Sequence, residues 1–495
     1  MFLFTIISAL LSLYVFPPHS WTWLSFVFLV PLLFDLDTIE TPKEAFIKMT
    51  LFGAVMMGHF HSWILDISPW ASTAGATTMW IALSLYLGAF YGLMGWFYVV
   101  LRRTNFSVLV LPVLWTLSEW LREIAPFSSP GGTLGYTQFS SILLKISPYF
   151  GVLGVSFICV LVNVLLFTFI SELRSKSAFR VWGYAVTVFL LLFVLKAQSQ
   201  APAPTTEPLS VAIVQGNHSQ ETKLNPRQWS GIIDTYFNLS EPYWQHNIIL
   251  WPENLIPRVL RNDRHFMSRV QEKLVSPNQT LVLGATQKDQ DSYYNGITLI
   301  TNTGQTPQTY QKERLMPFGE YIPYRSFFSL FGPKEILSKY VGFTHGQNQT
   351  LLSASDHYFG SAICLESCYV NPFQQQTLAG ASFLSVVVNT AWFEQDKASE
   401  QHLHFSIFRA AENQRYLIQA SNIGHSVIIA PDGSIDQEIP FRTQGSLSGL
   451  IYPQTQLSLY TQKPWLLPGV LVCFLMYFSY RAIRYGTGKN AELLF

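Results

Sequence analysis

A chain of 495 residues that is 49% hydrophobic, 15% aromatic and only 12% charged carries about half the roughly 25% charge of a soluble globular domain, which argues against a wholly soluble protein. Its 31 Lys+Arg against 30 Asp+Glu leave a net charge of +1, so no basic field exists to gather nucleic acid. The four cysteines, Cys159, Cys364, Cys368 and Cys473, fit neither a disulfide scaffold nor a paired-cysteine zinc framework.

Apolar residues crowd the first 195 positions. Stretches at 2–16, 21–34, 45–65, 80–101, 108–120, 150–170 and 181–195 read as about seven membrane spans, with one more at 465–480. The first two are short and divided by Pro17-Pro18, compatible with a re-entrant hairpin or with two tilted helices. Met1-Phe2-Leu3 has no basic character and a second apolar run follows at once, against a cleaved signal peptide. With the N-terminus inside, the cytoplasmic loops hold Lys43, Lys48, Arg102, Arg103, Arg174, Lys176 and Arg180, and the tail adds Arg481, Arg484 and Lys489. Outer loops keep only Arg122, Lys145 and Lys196. This bias predicts that residues from about 197 to 463 lie outside the cytoplasm, in the periplasm of a Gram-negative cell.

Ala201-Pro-Ala-Pro-Thr-Thr-Glu-Pro208 reads as a stiff linker. Beyond it come short β-branched runs at 209–215, 248–251, 280–284, 296–300, 358–363, 383–388 and 426–430, with helix-like stretches at 226–237 and 402–416. The alternation predicts an α/β domain with buried strands. The expected organisation is a membrane domain over 1–196, a linker over 197–208, an extracytoplasmic domain over 209–463, a last span over 464–481 and a cytoplasmic tail over 482–495.

Three strand ends carry residues a core would not choose. Trp251-Pro-Glu253 puts a carboxylate after a buried run. Gln311-Lys312 is followed by Pro317-Phe-Gly-Glu320, and Ile363 by Cys364-Leu-Glu366. Singly, each has a plain structural reading: Glu253 as a helix N-terminal carboxylate, Lys312 as a solvated charge, Cys364 as a small core residue. Together a carboxylate, an ammonium and a thiol make an acyl-transfer device, in which the carboxylate takes the thiol proton and the ammonium holds the oxyanion.

At this point the sequence resembles the nitrilase superfamily, whose signature is a Glu-Lys-Cys set at strand ends in this order. With spans on both flanks it resembles the membrane branch, the bacterial apolipoprotein N-acyltransferases. The motifs, in order, are Val214-Gln-Gly-Asn217, Trp251-Pro-Glu253, Tyr310-Gln-Lys312, Pro317-Phe-Gly-Glu-Tyr-Ile-Pro323, Ile363-Cys-Leu-Glu366, Asn389-Thr-Ala-Trp-Phe393 and Arg409-Ala-Ala-Glu-Asn-Gln-Arg415, with Leu114-Trp-Thr-Leu-Ser-Glu-Trp-Leu-Arg122 in the membrane part. The resemblance implies a multi-span α-helical membrane domain joined to an αββα-sandwich extracytoplasmic domain. It implies Glu253 as general base, Lys312 as oxyanion stabiliser and Cys364 as nucleophile, with Glu320 and Glu366 as supporting carboxylates. It also implies acyl transfer from a phospholipid such as phosphatidylethanolamine, through a cysteine thioester, to a diacylated apolipoprotein at the inner membrane, with no cofactor. The alternative is a membrane-anchored amidase that passes the acyl group to water. Leu365, Leu224, Thr390 and Glu394 depart from the family pattern, near acyl-binding and lid regions rather than the triad.

Lesser signals complete the reading. His59/His61 and His402/His404 have a spacing that points helical rings to different faces, unlike a metal pair. Cys368 reads as packing rather than as a redox partner of Cys364. Glu119 and Arg122 are costly in a span and are expected to pair with each other or to hold the loop 127–136. The aromatic-rich segments 327–331 and 340–343 read either as a lipid-facing lid or as an ordinary buried loop.

Overall fold

Two composition regimes fold as two units, Met1–Gln200 with Ser458–Phe495, and Ala201–Leu457. The computed structural model describes residues 3–102, 107–171, 206–303, 306–324, 342–347 and 351–485. The span expected at 181–195, most of the linker and of the aromatic-rich segments, and Arg103, Arg174, Lys176, Arg180, Lys196 and Lys489 lie outside the described residues.

The first unit is helical. Among the described residues three helices are long and apolar enough to cross a membrane: Thr73–Leu101, Ile142–Ser171 and Leu466–Arg484. The span read at 45–65 is the helix Pro42–Phe60, started by the Thr41 hydroxyl accepting from Glu44 N and by Pro42 in the first turn. It packs against Thr73–Leu101 at small residues. A Cβ on Gly88 would lie 2.6 Å from Thr50 O, and one on Gly95 2.9 Å from Ala45 O, so glycine is what lets the two backbones meet.

The expected span at 21–34 is not one helix. A 3-10 turn, Thr22–Phe26, precedes the short helix Val30–Thr38. Side chains satisfy the backbone groups this break frees: Leu29 N donates to Asn163 Oδ1 (2.9 Å) and Leu32 N to Ser8 Oγ (2.8 Å). Glu119 and Arg122, both fully buried, lie 4.0 Å apart. Glu119 Oε1 accepts from Trp115 Nε1 and Leu134 N (2.8 Å each), while Arg122 Nη1 donates to Gly131 O (3.1 Å). The pair thus meets itself and also pins the loop, as its cost in a span predicts.

Among the described residues the second unit is a sandwich of two six-stranded sheets. Strands β1 (Leu209–Gln215), β2 (Ile248–Trp251), β3 (Thr280–Asp289), β4 (Ser292–Thr301) and β5 (Gln308–Gln311) form one; β6 (Leu352–Ala354), β7 (His357–Ile363), β8 (Phe383–Val388), β9 (Leu417–Ser421), β10 (Ser426–Ile429) and β11 (Ile435–Ile439) form the other. β12 (Gly445–Ile451) returns to the first sheet, antiparallel to β1. The orders are β12-β1-β2-β3-β4-β5 and β11-β10-β9-β8-β7-β6. Among the described strands only β1-β2-β3 and β7-β8-β9 are parallel, so the sheets are mixed.

Alternation decides which residue meets which layer. Val211, Ile213, Leu250 and Val282 meet Ile363, Phe383, Val387 and Ile418 between the sheets. Ala212, Val214, Ile249 and Trp251 point the other way, onto Tyr236, Phe237, Phe266 and Val270 of the helices Trp229–Ser240 and Arg264–Lys273. Helices Val370–Leu378 and Lys397–Asn413 pack on the second sheet. Strands covered on both faces read as continuous apolar runs.

Replacing Arg122 with Met leaves the Glu119 carboxylate buried without its cation and is expected to cost about 3–5 kcal/mol, read as loss of thermal stability in detergent. Adding Glu119→Gln to that variant is expected to recover part of the loss; a double variant as damaged as the sum of the two singles contradicts the coupling.

Candidate active site

Glu253 leaves the buried end of β2 through Pro252, and the neighbouring strand is shaped to receive it. A Cβ on Gly284 would come within 2.5 Å of Glu253 Cα, so β3 carries a glycine where that backbone crosses. Lys312 follows β5, tied by its N–H to Asn295 O (2.9 Å) and by its carbonyl to Gly346 N (2.8 Å). Cys364 follows β7 and opens the 3-10 turn Cys364–Cys368 with φ +51°. That left-handed conformation is unusual for a residue with a Cβ and marks a constrained turn.

The side chains converge. Lys312, 2% exposed, places Nζ 2.9 Å from Glu320 Oε2, 3.1 Å from Glu320 Oε1 and 3.6 Å from Glu253 Oε1. Glu320 is aimed by the turn before it, with Met316 N donating to its Oε2 (2.7 Å). Four donors meet Glu366: Glu313 N (2.7 Å) and Arg314 N (3.0 Å) on Oε1, Ile363 N (2.8 Å) and the Tyr310 hydroxyl (2.9 Å) on Oε2. Glu366 therefore joins the end of β5 to the end of β7, and so Lys312 to Cys364.

Electrostatics sets the protonation states. Burial raises the Cys364 thiol, Glu253 raises it further, and the Lys312 ammonium and a backbone hydrogen bond from Asn389 only partly offset this. The thiol therefore holds its proton at rest. Burial works against the Lys312 charge, but Glu320 and then Glu253 more than compensate and hold it above the ordinary lysine value. Burial pushes Glu366 up to about 7 against the pull of the Arg314 N–H and Lys312.

Glu253, Lys312 and Glu320 are thus brought together by direct contacts, their charges act on Cys364, and Glu366 lies behind them. Glu253 is not at a helix N-terminus and Lys312 is not solvated, so neither plain structural reading describes its place. Cys368 is buried at 2% exposure, as packing requires.

Three residues were not legible as part of the site. Asn295 on β4 donates from Nδ2 to both Glu253 Oε1 and Glu320 Oε1 (2.7 Å each). His402 brings Nε2 to 3.8 Å from Cys364 Sγ. Lys223 is buried with Nζ 3.5 Å from Glu253 O, and burial lowers its ammonium to about 7. A strand interior following two tyrosines, a His-X-His spacing unlike a metal pair and a lysine on a short helix carry little sequence signal of this.

Among the described residues no His, Cys, Asp and Glu group has metal-holding geometry. His425 instead forms a clasp, with Nδ1 2.6 Å from Glu438 Oε1 and Nε2 3.1 Å from Asp396 Oδ1, just beyond the Asn389–Phe393 motif.

The family model for the apolipoprotein N-acyltransferase N-terminal domain matches residues 8–165, and that for carbon-nitrogen hydrolase matches 210–464. An apolipoprotein N-acyltransferase of Methylococcus capsulatus is 30% identical over 450 residues, covering 85% of this chain and 84% of its own. That of Pseudomonas putida is 30% identical over 460 residues, covering 88% of each. Among solved structures, an amidase of the nitrilase superfamily from Nesterenkonia aligns with a TM-score of 0.39 at 18% identity, over 53% of this chain and 96% of its own.

Asn295→Asp would set a third carboxylate against Glu253 and Glu320, and Asn295→Ala would remove two charge-assisted hydrogen bonds. Alanine is expected to slow turnover about ten- to hundredfold, and aspartate to slow it more and move the acidic limb of the pH–rate profile upward. An unchanged limb in the aspartate variant contradicts the bridge. Burial lowers His425, but Asp396 and Glu438 outweigh it and raise its pKa. The stability it supplies is full below the unfolded value of about 6.5 and is lost as pH rises through the raised folded value. Thermal scans of His425→Gln are expected to lie below the unsubstituted protein at acid pH and to converge with it at alkaline pH.

Proposed function

The chain belongs to the apolipoprotein N-acyltransferase family and is a membrane acyltransferase, and on that premise we propose that Glu253, Lys312 and Cys364 carry its reaction through a thioester. The acyl donor is a membrane phospholipid, phosphatidylethanolamine in the specific reading, and the acceptor is the N-terminal α-amine of a diacylglyceryl-cysteine apolipoprotein. The catalytic unit faces the periplasm from the inner membrane, in keeping with the lysine and arginine bias of the loops. The observation that carries the reading is the buried Lys312 ammonium lying between Glu320 and Glu253, with all three charges acting on the Cys364 sulfur.

In the first step Glu253 takes the Cys364 proton as the sulfur attacks the ester carbonyl. Because the resting thiol is protonated, its removal belongs with attack rather than before it. Lys312 holds the tetrahedral oxyanion. Collapse breaks the carbon–oxygen bond, Glu253 returns the proton to the leaving oxygen, and a lysophospholipid departs. In the second step the acceptor amine attacks the thioester, Glu253 takes its proton, and sulfur leaves as the amide forms. Glu320 and Asn295 keep Lys312 and Glu253 in register, and Glu366 ties the Lys312 and Cys364 segments together. Of the positions that depart from the family pattern, Leu224 and Glu394 are exposed and Thr390 is buried, and we assign them to acyl-chain preference rather than to the chemistry.

Mass spectrometry of the purified protein after incubation with phosphatidylethanolamine is expected to find one acyl adduct on Cys364, absent in Cys364→Ser and discharged by a diacylated lipopeptide to give an N-acylated product. Release of free fatty acid without N-acylation would favour the hydrolytic alternative, and absence of any adduct would defeat the thioester.

A further inference from the structure

His402 sits on the helix Lys397–Asn413, 8% exposed, with its ring between two groups of the turn that begins at the nucleophile. Nδ1 lies 2.8 Å from Ser367 Oγ and Nε2 lies 3.8 Å from Cys364 Sγ. Ser367 is fully buried, and among the described residues its hydroxyl meets only this ring nitrogen. A buried hydroxyl hydrogen without an acceptor is costly, so the hydroxyl donates to Nδ1. The ring hydrogen is then on Nε2, facing the sulfur.

We propose that His402 is a further catalytic residue of the Cys364 reaction, its Nε2–H donating to the sulfur whenever that atom bears negative charge, with Ser367 as the positioning residue that fixes the tautomer. This rests on the thioester reading. A hydrogen bond to a thiolate is stronger than one to a thiol or to a thioester sulfur. The contact therefore stabilises sulfur as Glu253 removes its proton and again as the amine expels it, and does little for the resting states between them, which is the difference that raises a rate. Protons balance without the ring. In the first step the thiol proton passes to Glu253 and on to the leaving oxygen, and in the second the amine proton passes to Glu253 and back to sulfur. His402 keeps its hydrogen throughout. Burial first and Lys312 second lower the ring to about 3, so it remains a neutral donor and does not compete with Glu253 as base.

The test uses the full-length protein in detergent. Alkylation by iodoacetamide at fixed pH is followed on the Cys364 peptide by mass spectrometry, alongside single-turnover formation and discharge of the acyl adduct. His402→Leu is expected to slow alkylation and both half-reactions about ten- to hundredfold, the worth of a hydrogen bond to a charged group. His402→Gln restores a side-chain N–H and is expected to recover most of that loss. A leucine variant within about twofold of the unsubstituted protein, or a glutamine variant as slow as leucine, overturns the proposal. Should His402→Leu not fold, Ser367→Ala carries the test: it frees the tautomer and is expected to slow alkylation several-fold, and an unchanged rate overturns the proposal. Alkylation needs no lipid. Slower alkylation in a protein that never forms an acyl adduct would refute the thioester reading and keep the contact; normal adduct chemistry with unaltered alkylation would refute the contact alone.

Discussion

One buried ammonium serves three acids. Lys312 already faces Glu320 and Glu253 at 2.9 and 3.6 Å, so the cluster is one charge negative before Cys364 is counted. A resting thiolate would make it two charges negative in a site largely closed to water, where charge is poorly screened. The thiol therefore keeps its proton at rest, and in the proposed reaction gives it up only as a carbonyl arrives to take the electron pair. In the proposed reaction charge then moves from the sulfur onto an oxygen that Lys312 can face, so a nucleophile of this kind is protected at rest without being disabled.

The fold supplies this cluster from separate strands, so its precision depends on how the strand ends are tied. Gly284 lets Glu253 cross β3, Asn295 holds two carboxylates from one amide, and the four donors on Glu366 bind the segment after β5 to the end of β7. The left-handed residue Cys364 ends the strand and opens the turn that contains Ser367. These supports are short, direct and mostly buried, which is what holding reacting groups in register requires.

Much of this was legible because chemistry follows buried runs. Residues 248–251 and 358–363 read as strands, which the structure forms as Ile248–Trp251 and His357–Ile363, and the polar residue after each stands out against them. Lys312 emerged through its motif more than through its strand, since Gln308–Gln311 is short and partly exposed. The strands Ile435–Ile439, exposed at four of its five residues, and Gly445–Ile451, partly buried, carry no readable pattern, because a strand of this kind is defined by its partner rather than by its own sequence. The break at 21–34 was hidden for the same reason: Asn163, far along the chain, satisfies the backbone there. Asn295 stands before a glycine and resembles turn chemistry, yet it lies inside β4. The spacing of His402 and His404 reports only on one helix and carries no trace of what a neighbouring segment brings to the His402 ring.

The state of one proton at rest decides the matter. Ultraviolet difference spectroscopy between the unsubstituted protein and Cys364→Ser at neutral pH isolates any thiolate absorbance of that residue. A protonated resting sulfur predicts no thiolate band in the difference; a full band at neutral pH would contradict the charge balance around Lys312 and the coupling of proton removal to attack.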